Sequence, residues 1–130
     1  MADISTRFRT LLLSDTAITA LVGPRVHQGT VPEDTPTPFI YFTREGVEFE
    51  RCIGETAGAD PFRQRLVVEC VGTDLEDSQA IADEIRDYDG YTGTFGDSTV
   101  KGIFVDDQTD QYEPQYGDHV ASLSVEVIPA

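Results

Sequence analysis

The sequence predicts an α+β fold in which a mainly antiparallel sheet of four to five strands carries two helices on one face. Several segments alternate apolar and polar residues, as strands with one buried face do. Two other segments repeat apolar residues at helical spacing. The connections between the strand segments resemble hairpins, which favours antiparallel pairing.

The first helical segment covers residues 3–22, in which apolar residues recur near helical spacing. Ser14 and Asp15 are expected to interrupt this helix and to cap a second, short one. Both side chains can accept hydrogen bonds from the free backbone N–H groups of a helix start. Gly23 and Pro24 end the segment, because proline cannot continue a helix.

The strands are predicted from alternation and from the turn residues that bound them. The predicted strands are residues 26–31, 39–50, 62–71, 99–107 and 119–128. A proline-rich connector is expected at residues 32–38 and an exposed, glycine-containing loop at residues 51–61. Alternation places Leu66, Val68 and Cys70 on one face of their strand, which we expect to be the buried face.

The clearest element is a helix over residues 74–89. Thr73 and Glu76 match a capping box, in which each residue satisfies a free N–H group of the other. The apolar stripe of this helix consists of Leu75, Ser78, Ile81, Ala82, Ile85 and Tyr88. Residues 90–98 are expected to form a glycine-rich turn. We predict that the helix packs on the sheet and that residues 1–130 form one domain.

The charge of the chain argues against several classes of function. Twenty-four Asp and Glu residues face nine Lys and Arg residues, which gives a net charge of −15. Such a surface repels nucleic-acid phosphates and anionic lipids, because binding either requires clustered basic residues. A solvated acidic face or a high-salt host would also explain the acidity. No apolar run is long enough to span a membrane.

The start of the sequence lacks a basic region followed by an apolar stretch, so no secretion signal is expected. The chain has two cysteines, Cys52 and Cys70. Since nothing points to an oxidising compartment, we expect both to be unpaired thiols.

Few residues suit catalysis or metal binding. His27 and His119 are not accompanied by a Gly-x-Ser-x-Gly turn, so each is expected to be a strand residue with an ordinary hydrogen bond. The cysteines and histidines are too scattered for zinc. Residues 106–110 resemble the start of a calcium loop, but Gln111 and Gly117 stand where that loop needs glycine and glutamate. We therefore expect no enzyme activity, cofactor or metal, although an acid–base pair among so many carboxylates stays open.

The order and spacing of these segments resemble the tail-completion, or tail-terminator, proteins of long-tailed bacterial and archaeal viruses and related prophages. The resemblance runs over nearly the whole chain. The segments that carry it are residues 8–13, 20–26, 36–42, 65–71, 73–85, 100–107, 112–114 and 121–127. None of them is a catalytic fingerprint, and their combination carries the resemblance.

The resemblance implies a structural protein of the virion tail or neck that assembles in the host cytoplasm. Such proteins form a ring, usually a hexamer, on the last ring of the tail tube, stop tube growth and present the surface that joins the head. The implied partners are other copies of the chain, the tail tube protein and a neck or head-completion protein. DNA would pass through the lumen of the ring without sequence-specific binding, and an acidic wall suits that passage because it repels phosphates.

Two alternatives remain at this point. The chain could be another neck protein, such as a head-completion or stopper subunit. It could also be a small-ligand-binding or regulatory α+β module, or an enzyme with an unrecognised carboxylate site.

Two groups of charged residues are candidate sites at the ring lumen or at an assembly interface. The first group is Asp106, Asp107, Asp110 and Glu113. These acids crowd the end of one predicted strand and the hairpin after it, where like charges repel. A solvated turn would explain them equally well. The second group is Arg51 and Glu55 in the loop 51–61, which we expect to make contacts outside the subunit together with the N-terminal helix. An idle loop is the alternative.

Overall fold

The computed structural model describes residues 4–50, 60–95 and 98–129. In these ranges the helices are α1 (Ile4–Ser14), α2 (Thr16–Val22) and α3 (Leu75–Arg86). The strands are β1 (Val26–Gln28), β2 (Phe39–Glu50), β3 (Asp60–Gly72), β4 (Tyr91–Phe95), β5 (Ser98–Glu113) and β6 (Asp118–Pro129).

The described strands form one six-stranded sheet in the order β1-β2-β3-β6-β5-β4. The predicted α+β class is confirmed, but the sheet has more than the expected four to five strands and is mixed. β1 runs parallel to β2, whereas the other pairings are antiparallel. The chain returns through the proline-rich connector to the start of β1 before β2 begins, where Arg25 Nε donates to the Pro38 carbonyl over 2.8 Å. The connection is therefore no hairpin, and this is why the first pairing is parallel.

β4 lies in the segment that was expected to be a glycine-rich turn. Tyr91, Thr92, Thr94 and Phe95 favour a strand, because β-branched and aromatic residues suit a pleated surface. Gly93 has a φ of 150° and lies at a register shift in the pairing with β5. Glycine adopts such a φ without steric strain. The glycine spacing therefore marks an irregular strand here, and the turn prediction was wrong.

The predicted interruption of the N-terminal helix is confirmed, so the helices number three in the described ranges and not two. Asp15 Oδ1 accepts hydrogen bonds from Ala17 N at 2.9 Å and Ile18 N at 3.3 Å. Asp15 Oδ2 accepts a third bond from Tyr88 Oη at 2.6 Å. Burial and this bond together raise the pKa of Tyr88. One carboxylate thus caps α2 and ties it to the chain that leaves α3.

The predicted capping box of α3 is wrong, although the helix is present. Asp74 is the N-cap, and its Oδ1 accepts from Asp77 N at 2.8 Å, so the helix begins one residue later than the Thr73–Glu76 pairing requires. The residues of the predicted stripe that are buried are Ser78, Ile81, Ala82 and Ile85. Leu75, at the first helical position, is 46% exposed and does not belong to the stripe.

The core lies between one face of the sheet and the helices. Its helical members are Phe8, Leu11, Leu12, Ile18, Val22, Ile81, Ala82 and Ile85. Its strand members are Val26, Ile40, Phe42, Leu66, Val68, Cys70, Ile103, Ala121, Leu123, Val125 and Val127. The expected inward face of β3 is therefore confirmed, and β6 contributes its alternate residues from Ala121 to Val127. Phe8 and Phe42 meet edge to face with ring centroids 5.4 Å apart, and aromatic pairs prefer this arrangement.

Two strands differ clearly in length from the prediction. β1 ends three residues early, and β5 continues to Glu113, opposite Asp118 of β6. This last part of β5 is polar and exposed, so no alternation of apolar residues reveals it. The expected loop 51–61 includes residues 60 and 61, which belong to β3, while residues 51–59 lie outside the described ranges.

Candidate assembly surfaces

The sheet has two unlike faces. The buried apolar residues of α1, α2 and α3 all belong to the core on the inward face. The outward face carries the other half of each alternating pattern. On β2 and β3, Phe39 lies opposite Val71 and Tyr41 lies opposite Glu69. Phe39, Tyr41 and Glu69 are partly exposed there, whereas Val71 is buried beneath them, so the accessible surface is partly apolar and partly polar.

A groove with a volume of about 610 Å³ opens on this outward face. We call it the outward groove. The residues that line it are Val31, Pro32, Glu33, Asp34, Thr35, Phe39, Tyr41, Glu69, Val71, Tyr116 and Asp118. They come from Val31 and the proline-rich connector after it, from β2 and β3, from the turn between β5 and β6, and from the first residue of β6.

Local hydrogen bonds hold the connector wall of the outward groove in place. Thr35 Oγ1 donates to the Pro32 carbonyl over 2.6 Å, which closes a turn in which Asp34 adopts a φ of 62°. Tyr41 Oη donates to the Gly29 carbonyl over 3.0 Å and ties the connector to β2. The wall is therefore shaped before any partner arrives.

The outward groove is acidic and aromatic. None of its described lining residues is basic. The four carboxylates that line it belong to Glu33, Asp34, Glu69 and Asp118. Glu69 is half-buried, and burial, reinforced by the nearby charge of Glu113, raises its pKa above the usual range. Phe39, Tyr41 and Tyr116 supply aromatic surface, and Tyr116 is 72% exposed. This combination suits a positively charged group, which carboxylates and aromatic faces both attract.

The structure brings the four predicted acids of β5 onto one strand but not onto one face. A register shift makes Asp106 the extra residue of a β-bulge. Beyond the bulge, Asp107 and Glu113 pair with outward-facing positions of β6. Asp110 lies opposite the inward-facing Ala121. All four acids are exposed, and Glu113 is the one whose charge reaches the outward groove.

One edge of β5 is open. In the described pairings, β4 reaches only to Ile103, so residues 104–113 of β5 pair with β6 alone. Val105 N donates to Asp89 Oδ1 over 3.0 Å, which occupies the first position past β4. An open edge can accept a strand from another molecule. Charged side chains such as those of Asp106 and Asp110 limit unspecific pairing at such an edge.

Arg51 and Glu55 lie outside the described residues, as does Cys52. The predicted contacts of the loop 51–61 and of the N-terminal helix outside the subunit stay predictions. α1 is held to β1 by Arg9, whose Nε donates to the Val26 carbonyl over 2.8 Å.

Among the described residues, the two histidines pack against aromatic rings and Cys70 lies in the core. His27 packs on Phe39 with centroids 6.3 Å apart. Its buried Nε2 has no hydrogen-bond partner among the described residues, so the expected ordinary bond is not found at that nitrogen. His119 packs on Tyr112 at 4.8 Å. Cys70 is a buried free thiol whose pKa is raised by burial and by Glu69, so it is a poor nucleophile.

The described residues contain neither a grouped set of metal ligands nor a helix that could span a membrane. In residues 4–50, 60–95 and 98–129, no three His, Cys, Asp or Glu side chains are grouped so that they could hold a metal ion. The helices in those ranges are too short or too polar to cross a membrane.

Sequence reasoning missed the outward groove. In the sequence, Tyr41 alternates with Ile40 and Phe42, and Glu69 lies between Val68 and Cys70; this alternation was the available signal. The missing information was three-dimensional. The connector residues Glu33 and Asp34 and the turn residue Tyr116 are far apart in the sequence, and only the fold brings them over the same two strands.

Comparison with known proteins gives a family and a fold. A family model described as "Tail completion protein gp17" matches residues 6–128. A chain of the solved structure titled "Virion of native gene transfer agent (GTA) particle" has the same fold, with a TM-score of 0.70 and 15% sequence identity. The match covers 97% of this chain and 90% of that chain. No curated protein matches the sequence.

Proposed function

This chain belongs to the tail completion protein gp17 family, and on that premise we propose that it forms a ring that ends the tail tube and joins it to the head. The chain is a structural protein of the virion tail. The proposal takes residues 1–130 as one tail-terminator-like domain and the ring as a hexamer. Its partners are other copies of the chain, the tail tube protein and a neck or head-completion protein.

The open edge of β5 is the observation that carries the ring proposal. A head-to-tail ring needs two different patches on each subunit, because the surface that gives a contact is not the surface that receives it. Beyond Val105, residues 106–113 offer backbone groups on one side, because no described strand other than β6 pairs with them. The outward face offers a second, chemically different surface. The subunit therefore has two unlike patches with which to meet its neighbours.

Electron microscopy of particles made without this protein tests the proposed role. A terminator is the factor that stops tube growth, so its loss is expected to give tails longer than normal and without heads. Restoring the protein in trans should restore the normal length. Tails of normal length beside heads that leak DNA would contradict the proposal and favour the stopper alternative. The mass of the purified protein in solution tests the ring itself, since a stable monomer under assembly conditions would count against it.

We further propose that some of Asp106, Asp107, Asp110 and Glu113 face the lumen or an assembly interface. Because all four are exposed, changing them together to lysine should leave the subunit folded. Lysines in a lumen would contact phosphates and release counterions, so DNA ejection should slow or stall at low salt and recover at high salt.

A variant with Asn at the three aspartates and Gln at Glu113 is the matched control, because it removes the charges without adding any. It should eject DNA at nearly the parental rate, which single-particle ejection assays measure. Parental ejection by the lysine variant at low salt would exclude a position in the lumen. An equal defect in both variants would instead point to an interface that needs the negative charges.

A further inference from the structure

We propose that the outward groove is a docking site for a cationic segment of another virion protein, an arginine or lysine flanked by apolar residues. The inference rests on the proposed assembly role, because it names the chemistry of one partner in that assembly. The groove presents four carboxylates around aromatic walls, with no basic residue among its described lining residues. The basic residue of such a segment would pair with the carboxylates, and its apolar neighbours would pack on the aromatic walls.

Glu69 gives the strongest support for a cationic partner. It lies in the middle of the sheet, half-buried, beside Tyr41 on the neighbouring strand. The described residues give its carboxylate no hydrogen bond or ion pair, and the charge of Glu113 acts on it unfavourably. A guanidinium group placed here would form charge-assisted hydrogen bonds with Glu69 and relieve that repulsion. The aromatic faces of Tyr41 and Tyr116 would add cation–π attraction.

The cation is better supplied by another protein than by a second copy of this chain. Every arginine whose side chain the structure describes already has a partner in its own subunit. Arg9 and Arg25 donate to main-chain carbonyls. Arg63 pairs with Glu126, and Arg86 pairs with Asp83. With a net charge of −15, the chain complements a basic partner better than an acidic one.

Titration of the full chain with N-acetyl-arginine amide, followed by NMR, tests the chemistry of the groove. N-acetyl-citrulline amide is the matched probe, since it has nearly the same shape and no charge. The arginine probe should shift the resonances of Tyr41, Val71 and Tyr116, and the citrulline probe should bind at least about tenfold more weakly. Equal binding of the two probes would overturn the proposal.

A pair of variants separates this site from the general acidity of the surface. Glu69→Gln keeps the shape of the side chain and should weaken binding of the arginine probe about tenfold. Asp87→Asn removes an exposed acid at the end of α3, outside the groove, and should leave binding unchanged. If the two substitutions weakened binding of the arginine probe equally, the probe would be responding to the overall charge of the protein. That result would contradict the proposed docking site.

Photo-crosslinking in assembled particles identifies the occupant. Tyr116 is exposed at the rim of the groove and can be replaced by p-benzoylphenylalanine without touching the core. The expected adduct joins this chain to a different virion protein, at a peptide that contains arginine or lysine beside apolar residues. An adduct with a second copy of this chain, or with a peptide lacking a basic residue, would overturn the assignment. The probe titration is independent of tail length, so its result stands or falls separately from the terminator test.

Discussion

Phe42→Ala is expected to lower the free energy of unfolding by about 3–5 kcal/mol. The Phe42 side chain is fully buried in the core and meets Phe8 of α1 edge to face at 5.4 Å. Removing the ring leaves a cavity between β2 and the N-terminal helix, because the surrounding residues relax only in part. The loss combines the transfer free energy of the ring with the contacts that line the cavity.

Urea unfolding followed by circular dichroism measures this loss. Thr43→Ala is the matched control, because Thr43 is the next residue of β2 and lies on the partly exposed outward face. It should change the free energy of unfolding by less than about 1 kcal/mol. If the two substitutions had equal effects, the assignment of inward and outward faces on β2 would be wrong.

Gly72→Ala is expected to destabilise the protein by about 1–3 kcal/mol. Gly72 ends β3 where α3 begins, and a Cβ at this position would lie 2.7 Å from both Asp77 Cβ and Ser78 N. One of these is a backbone atom of α3, so the clash cannot be relieved by turning a side chain. The start of α3 would have to move away from the strand, which weakens the packing of Ser78 and Ile81.

Gly46→Ala provides the comparison for Gly72→Ala in a thermal unfolding experiment. A Cβ at Gly46 meets nothing within 4 Å, and the residue also lies in the sheet. It should be neutral or raise the free energy of unfolding by about 0.4–1 kcal/mol, since alanine restricts the unfolded chain. An equal fall in melting temperature for both variants would mean that the tight approach at Gly72 does not limit stability.

Much of the inward face could be predicted from the sequence, because alternation is a local property. Ile40, Phe42, Leu66 and Val68 are fully buried, as the period of two indicates. Prediction failed where the local signal was weak or misleading. Glycines obscured β4, and the polar end of β5 carries no apolar alternation. The parallel pairing of β1 depends on the path of the connector, which no pattern within either strand encodes.

The candidate surfaces were less predictable than the fold. The sequence shows that acids crowd residues 106–113, but the bulge at Asp106 decides which of them share a face. A bulge inserts one extra residue, so every residue after it lies on the opposite face from the one that simple alternation predicts. Nothing in this part of the sequence marks the position of the bulge. The outward groove depends on residues brought together by the return of the connector and by the β5–β6 turn. Such a site becomes visible only when the topology is known.

The two unlike faces of the sheet also bear on how such a protein can diversify. Neighbouring residues of one strand have different roles. Ile40 and Phe42 are buried and stabilise the subunit, whereas Tyr41 between them lines the outward groove. Mutations at exposed outward positions therefore cost the fold less than mutations at the buried inward positions. A lineage can follow changes in its neighbours in the particle one substitution at a time, while the inward positions keep the scaffold constant.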